Sequence, residues 1–81
     1  MSHIGKLSRG LKWYSMRSVE GLPENIVNDP EKMSDVDYFL NHCEGKDMKA
    51  ISKALVELRD LERLPVKNKG QRIVDCLAVI G

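Results

Sequence analysis

A chain of 81 residues with 42% hydrophobic and 5% aromatic content and a formal charge of +1 allows one small domain with a thin core, because a chain of this size buries only about 60% of its unfolded surface. Leu, Ile, Val and Met dominate the apolar set, which favours helix-on-helix packing over a sheet sandwich, and no apolar run is long enough for a membrane span or a signal peptide core. Charge is nearly balanced but uneven: residues 1–18 hold four bases and no acid, 19–47 eight acids against two lysines, and 48–81 seven bases against four acids, an acidic middle that argues against simple coating of duplex DNA. The reading is an all-α, intracellular protein. Its expected form is a small bundle of three to four helices, divided into a basic N-terminal helix and linker (1–29), with that helix at the periphery, and a bundle core (30–81), one domain overall.

Ile4, Leu7, Leu11 and Tyr14 fall on one stripe, which predicts an amphipathic helix over about residues 4–18 with Lys6, Arg9, Lys12 and Arg17 on its other face. Gly5 and Gly10 oppose it, each costing about 1 kcal/mol relative to alanine inside a helix. From Val19 to Asp29 the pattern breaks into a linker anchored by Ile26 and Val27. Asp29-Pro30-Glu31 reads as an N-cap, a first-turn proline and an acid facing the free amides, so a helix begins near Pro30. It presents Met33, Val36, Phe39, Leu40 and Cys43 on one face, and Gly45 stops it. Asp47 caps the next helix, whose core stripe is Met48, Ile51, Leu55, Leu58 and Leu61, extended by Leu64. Pro65 then forces Leu64 out of helical geometry. Beyond the polar connection Lys67-Asn68-Lys69-Gly70, a last helix from about Gln71 presents Ile73, Val74, Leu77 and Ile80 inward with Arg72 and Asp75 outward.

No catalytic residue, cofactor or metal is expected. His3 and His42 lie on different elements, and neither has a Ser, Cys or carboxylate that spacing ties to it. The acidic stretch 29–37 lacks the alternating ligands, central glycine and closing Glu of a calcium loop. Cys43 and Cys76 have no second Cys or His at metal spacing and read as buried reduced thiols. The bases Lys6, Arg9, Lys12 and Arg17, interleaved with Trp13 and Tyr14, form a candidate nucleic-acid surface together with Lys67, Lys69 and Arg72. The plainer reading is that the two rings anchor the helix while the bases stay in water.

Ala54-Leu55, Glu57-Leu58 and Leu61 resemble the Ala-Leu-x-Glu-Leu-x-x-Leu core of the integrase-binding domain in chromatin-tethering proteins of the hepatoma-derived growth factor class, and Asp47-Met48-Lys49 is similar to its helix start. Leu58-x-x-Leu61-x-x-Leu64-Pro65-Val66 resembles the corner of the related N-terminal domain of the transcript-cleavage elongation factor and of elongin A. The resemblance covers residues 33–80. The stretch from Pro65 to Val74 is shorter than the elongation-factor pattern, and the Gly-Lys-x-Val-x-x-Leu-Arg-Lys-His signature is absent. What the resemblance implies is a helical bundle that binds short disordered motifs of partner proteins, an adaptor in transcription or chromatin and hence a nuclear one. It also implies that the loop from Cys43 to Asp47 contacts the partner, with Cys43, Glu44 and Asp47 as binding residues and the acids selecting basic motifs. Two other readings stand beside it, a nucleic-acid-binding helical domain and a homo-oligomeric assembly domain.

Overall fold

The helix starts follow from local chemistry. In the computed structural model, which describes residues 2–81 (side chains from 3), Asp29 accepts hydrogen bonds from the backbone amides of Glu31 at 3.0 Å and Lys32 at 3.3 Å, and Asp47 accepts from Ala50 at 3.1 Å. These satisfy donors that a first helical turn leaves unpaired. The helices are α1 Ser2–Tyr14, α2 Glu24–Val27, α3 Pro30–Cys43, α4 Met48–Arg63 and α5 Lys69–Ile80. The only extended pairing among the described residues is a single bridge between Ser18 and Gly21. The all-α helical bundle expected from the sequence is what forms.

Three boundaries differ from expectation. Helix α1 stops at Tyr14 and does not continue to 18: the Ser15 hydroxyl donates to the Lys12 carbonyl at 2.7 Å and the backbone tightens into a turn that reverses at Gly21, whose φ of +113° favours glycine. The linker contains a helical turn, α2, which buries Ile26 and leaves Val27 exposed. Helix α5 starts two residues before Gln71, because Asn68 takes the left-handed conformation at φ 57° and turns the chain directly into the helix.

Contacts divide the chain into two compact units, one closing at Glu44 and the other opening at Gly45. The division expected between 29 and 30 falls inside the first. There α1 and α2 pack on α3, and Leu7, Ile26, Val36, Phe39 and Cys43 are buried. Helix α1 is therefore part of this unit's framework and not a peripheral element. Its close approach to α3 is made at Gly10, where an added Cβ would lie 2.2 Å from the Asp35 carbonyl oxygen and 2.6 Å from the Phe39 Cβ. The glycine that argued against a helix in the sequence is what lets that helix touch its neighbour.

In the second unit α4 and α5 form an antiparallel pair, with Arg72 3.7 Å from Glu57 and Gly81 beside Lys46. Ile51, Leu55, Leu58 and Leu61 are buried as the stripe predicted, joined by Ala54. Leu64 is not core: it is 48% exposed, because its extended φ/ψ before Pro65 swings the side chain off the helical stripe. On α5 the buried residues are Cys76 and Ile80, whereas Val74 and Leu77, expected inward, are exposed.

Candidate functional site

The exposed positions of α5 are the most informative surface. At 100° per residue Cys76, Ile80 and Ile73 are contiguous with Leu77 and Val74, so the apolar arc of α5 is wider than the part the fold covers. Val74 is 58% exposed and Leu77 41%. Gly70 and Ala78 are exposed beside them on the helix, and Gly81 follows as its C-cap at φ +93°. A Cβ added at Gly70 would meet nothing within 4 Å, so packing within the chain does not require glycine there. Asp75 lies to one side and accepts from Gln71 Nε2 at 2.9 Å. The N-terminal approach to α5 carries Lys67 and Lys69, with no acid between Arg63 and Val74.

The expected first-loop site is only partly accessible. Cys43 is 3% exposed and offers no surface to a partner; it ends a helix whose apolar face is turned inward. Glu44 and Asp47 are exposed, the first closing one unit and the second lying in the other. The Asp47 carboxylate caps α4, so part of its hydrogen-bonding capacity is used within the chain.

The basic residues are also engaged. Lys6 donates to Asp35 Oδ1 at 3.2 Å and to Ser34 Oγ at 3.0 Å, and Arg9 Nε donates to Asp35 Oδ2 at 3.1 Å. Burial alone would push the Asp35 carboxyl up, but the hydrogen bonds and positive charges of Lys6 and Arg9 outweigh it and hold the group below the ordinary carboxylate value. A cavity of about 450 Å³ opens beside this cluster, lined by Lys6, Arg9, Pro30, Glu31, Ser34 and Asp35. Its two cations are answered by two carboxylates, and Asp29 already occupies the first amides of α3, so it is poorly suited to an anion. The Trp13 ring has the Lys12 ammonium 4.9 Å and the Lys32 ammonium 4.8 Å from its centroid, and Arg17 lies 4.1 Å over Tyr14. Rings engaged in this way are poor platforms for base stacking. In the second unit Arg72 pairs with Glu57, while Lys67 and Lys69 form no ion pair among the described residues.

Two histidines that spacing kept apart are brought together. The rings of His3 and His42 lie 6.0 Å apart, edge to face, and His3 Nδ1 shares a hydrogen bond with the Tyr38 hydroxyl. Among the described residues no group of three or more His, Cys, Asp or Glu side chains could hold a metal ion. Cys76 donates to Glu57 at 3.4 Å, and burial followed by that carboxylate pushes its thiol up, away from the reactive thiolate. No helix among the described residues is long and apolar enough to cross a membrane.

The sequence reading missed Asp35, Gly10 and the outward face of α5. The first two depend on which residue of one helix meets which of another. The third had a visible signal, since Ile73, Val74, Leu77 and Ile80 together span more of a helix than one neighbour covers. No family model, curated protein or solved structure matches this chain.

Proposed function

We propose that this protein is a helical protein-interaction module that receives an apolar helical segment on the outward face of α5. The observation that supports this reading is the exposure of Val74 and Leu77 on a regular helix, beside small residues that let a second helix approach closely. Fully burying a side chain of this size contributes roughly 1.5–3 kcal/mol, and since both are about half-covered already, the pair offers about half of that each. The basic residues support a nucleic-acid reading less well, because Lys6, Arg9 and Arg72 hold carboxylates and the Trp13 and Tyr14 rings are occupied by cations. The resemblance of the α4 leucines to transcription-linked modules makes that the cellular setting to test first.

Selection of helix-forming peptides from a displayed library against the folded protein, repeated with a Leu77→Glu variant, tests the proposal. The expected result is a set of peptides with apolar residues three and four apart whose binding weakens roughly tenfold or more in the variant. Binders indifferent to Leu77→Glu overturn the assignment to α5. Tight, steeply salt-dependent binding to generic DNA or RNA, lost on neutralising Lys12 and Lys69, overturns the protein-interaction reading itself.

A further inference from the structure

We infer that His3 and His42 form a two-histidine clip for a divalent transition-metal ion of the class that prefers imidazole, such as Zn²⁺, joining the start of α1 to the end of α3. The inference concerns the first compact unit alone and does not depend on reading α5 as the docking face. Tyr38 and His42 stand four residues apart on α3, one turn along the same face. His3, in the first turn of α1, meets both: its ring lies edge to face with Tyr38 at 5.5 Å between centroids and with His42 at 6.0 Å. An imidazole nitrogen sits about 2.0–2.1 Å from zinc, so two rings that share one ion have centroids about 5–6.5 Å apart. The separation of His3 and His42 falls within that range, so the two helices already stand at the spacing a shared ion requires.

A ligating histidine ordinarily donates its other ring N–H to an oxygen, which fixes the tautomer and the orientation of the ring. His3 has such an oxygen in place, since its Nδ1 shares a hydrogen bond with the Tyr38 hydroxyl. When Nδ1–H donates to that hydroxyl, the lone pair of Nε2 is left for the metal. His3 is exposed and His42 half-buried, so an ion enters from solvent. No group of three such ligands exists among the described residues, and water fills the coordination positions that the two histidines leave. The Lys6 ammonium lies 5.7 Å from the Tyr38 ring centroid, but it donates to Asp35 and Ser34, and the carboxylate answers its charge. Two protein ligands hold an ion less firmly than the closed set of four in a structural zinc site. Binding is therefore reversible.

Isothermal titration of the untagged 81-residue chain with Zn²⁺, and separately with Mg²⁺, tests the inference, alongside nitrogen-15 NMR of the imidazoles and thermal melts. The expected result is one equivalent of Zn²⁺ that shifts the signals of His3 and His42 together and raises Tm with its concentration, because the ion binds the folded unit in preference to the dispersed histidines of the unfolded chain. Mg²⁺, which takes oxygen ligands, does neither. His3→Gln and His42→Gln each weaken Zn²⁺ binding roughly tenfold or more, and Tyr38→Phe, which keeps the ring and removes only the oxygen that positions His3, weakens it roughly tenfold. Far-UV circular dichroism confirms that each variant is folded. The rise in Tm is measured against each variant's own metal-free melt, so lost packing is not read as lost binding. Zn²⁺ that shifts one histidine without the other, or binding that survives either glutamine variant, overturns the inference. So does a parent chain whose melt and imidazole signals Zn²⁺ leaves unchanged.

Discussion

Gly10 and Asp35 are the residues on which the α1–α3 contact turns. Gly10 has no room for a methyl group: the atoms it would strike are a backbone carbonyl and a Cβ, neither the end of a flexible side chain. Gly10→Ala would gain about 1 kcal/mol of helix propensity and lose more through displacement of α1 from α3, since overpacking of this kind costs about 1–3 kcal/mol or more. The expected result is a net loss of about 1–2 kcal/mol, read as a lower denaturation midpoint. Asp35 gives a pH signature. Its carboxyl is held below the ordinary 3.8 by Lys6 and Arg9 despite burial, so the associated stability is complete above that value and is lost as pH falls through the lower folded value. Asp35→Asn lowers stability at neutral pH by about 1–2 kcal/mol, because both cations keep access to water. It also removes this part of the acid-induced loss, and chemical denaturation between pH 7 and 2 checks both effects. Cys76, with its thiol pushed up by burial and by Glu57, is expected to react with alkylating reagents at neutral pH only as the chain unfolds, which peptide mapping after timed labelling would show.

At the scale of elements, the caps were legible because they are local. Asp29 and Asp47 each bind amides two or three residues along the same chain, and no tertiary information is needed to place them. Replacing either with alanine is expected to cost about 1 kcal/mol, a fall in Tm of about 4–8 °C for a domain of this size. The end of α1 was less legible, because neither proline nor glycine marks a stop between Leu11 and Glu20, while the Ser15 hydroxyl and the turn at Gly21 redirect the backbone. Helix α5 shows the limit most clearly. Periodicity places Ile73, Val74, Leu77 and Ile80 on one arc but does not say how much of that arc a neighbouring helix covers. Gly70 and Gly10 make a paired prediction: where Gly10→Ala destabilises, Gly70→Ala meets no obstruction and leaves the midpoint of the melt equal or slightly higher.

At the scale of the whole molecule, charge decides which partners are favoured. A chain of net charge +1 whose Lys6, Arg9 and Arg72 hold carboxylates gains less from releasing a duplex's counterions than a strongly basic chain does. The expected outcome is no retardation of generic DNA at about 0.15 M salt and protein concentrations up to about 10 µM. The sequence by itself determined the helical class, the capped starts of α3 and α4, the extended corner at Leu64-Pro65 and most of the buried stripe of α4. Each of these depends on residues within a few positions of one another, through periodicity, capping and the restricted backbone at proline. The tertiary structure alone decided that Gly10 is a contact, that Asp35 takes the charges of Lys6 and Arg9, that Cys43 is out of reach and that Val74 and Leu77 face outward. Those outcomes depend on which helix faces cover one another, a property set by packing between residues far apart in the chain.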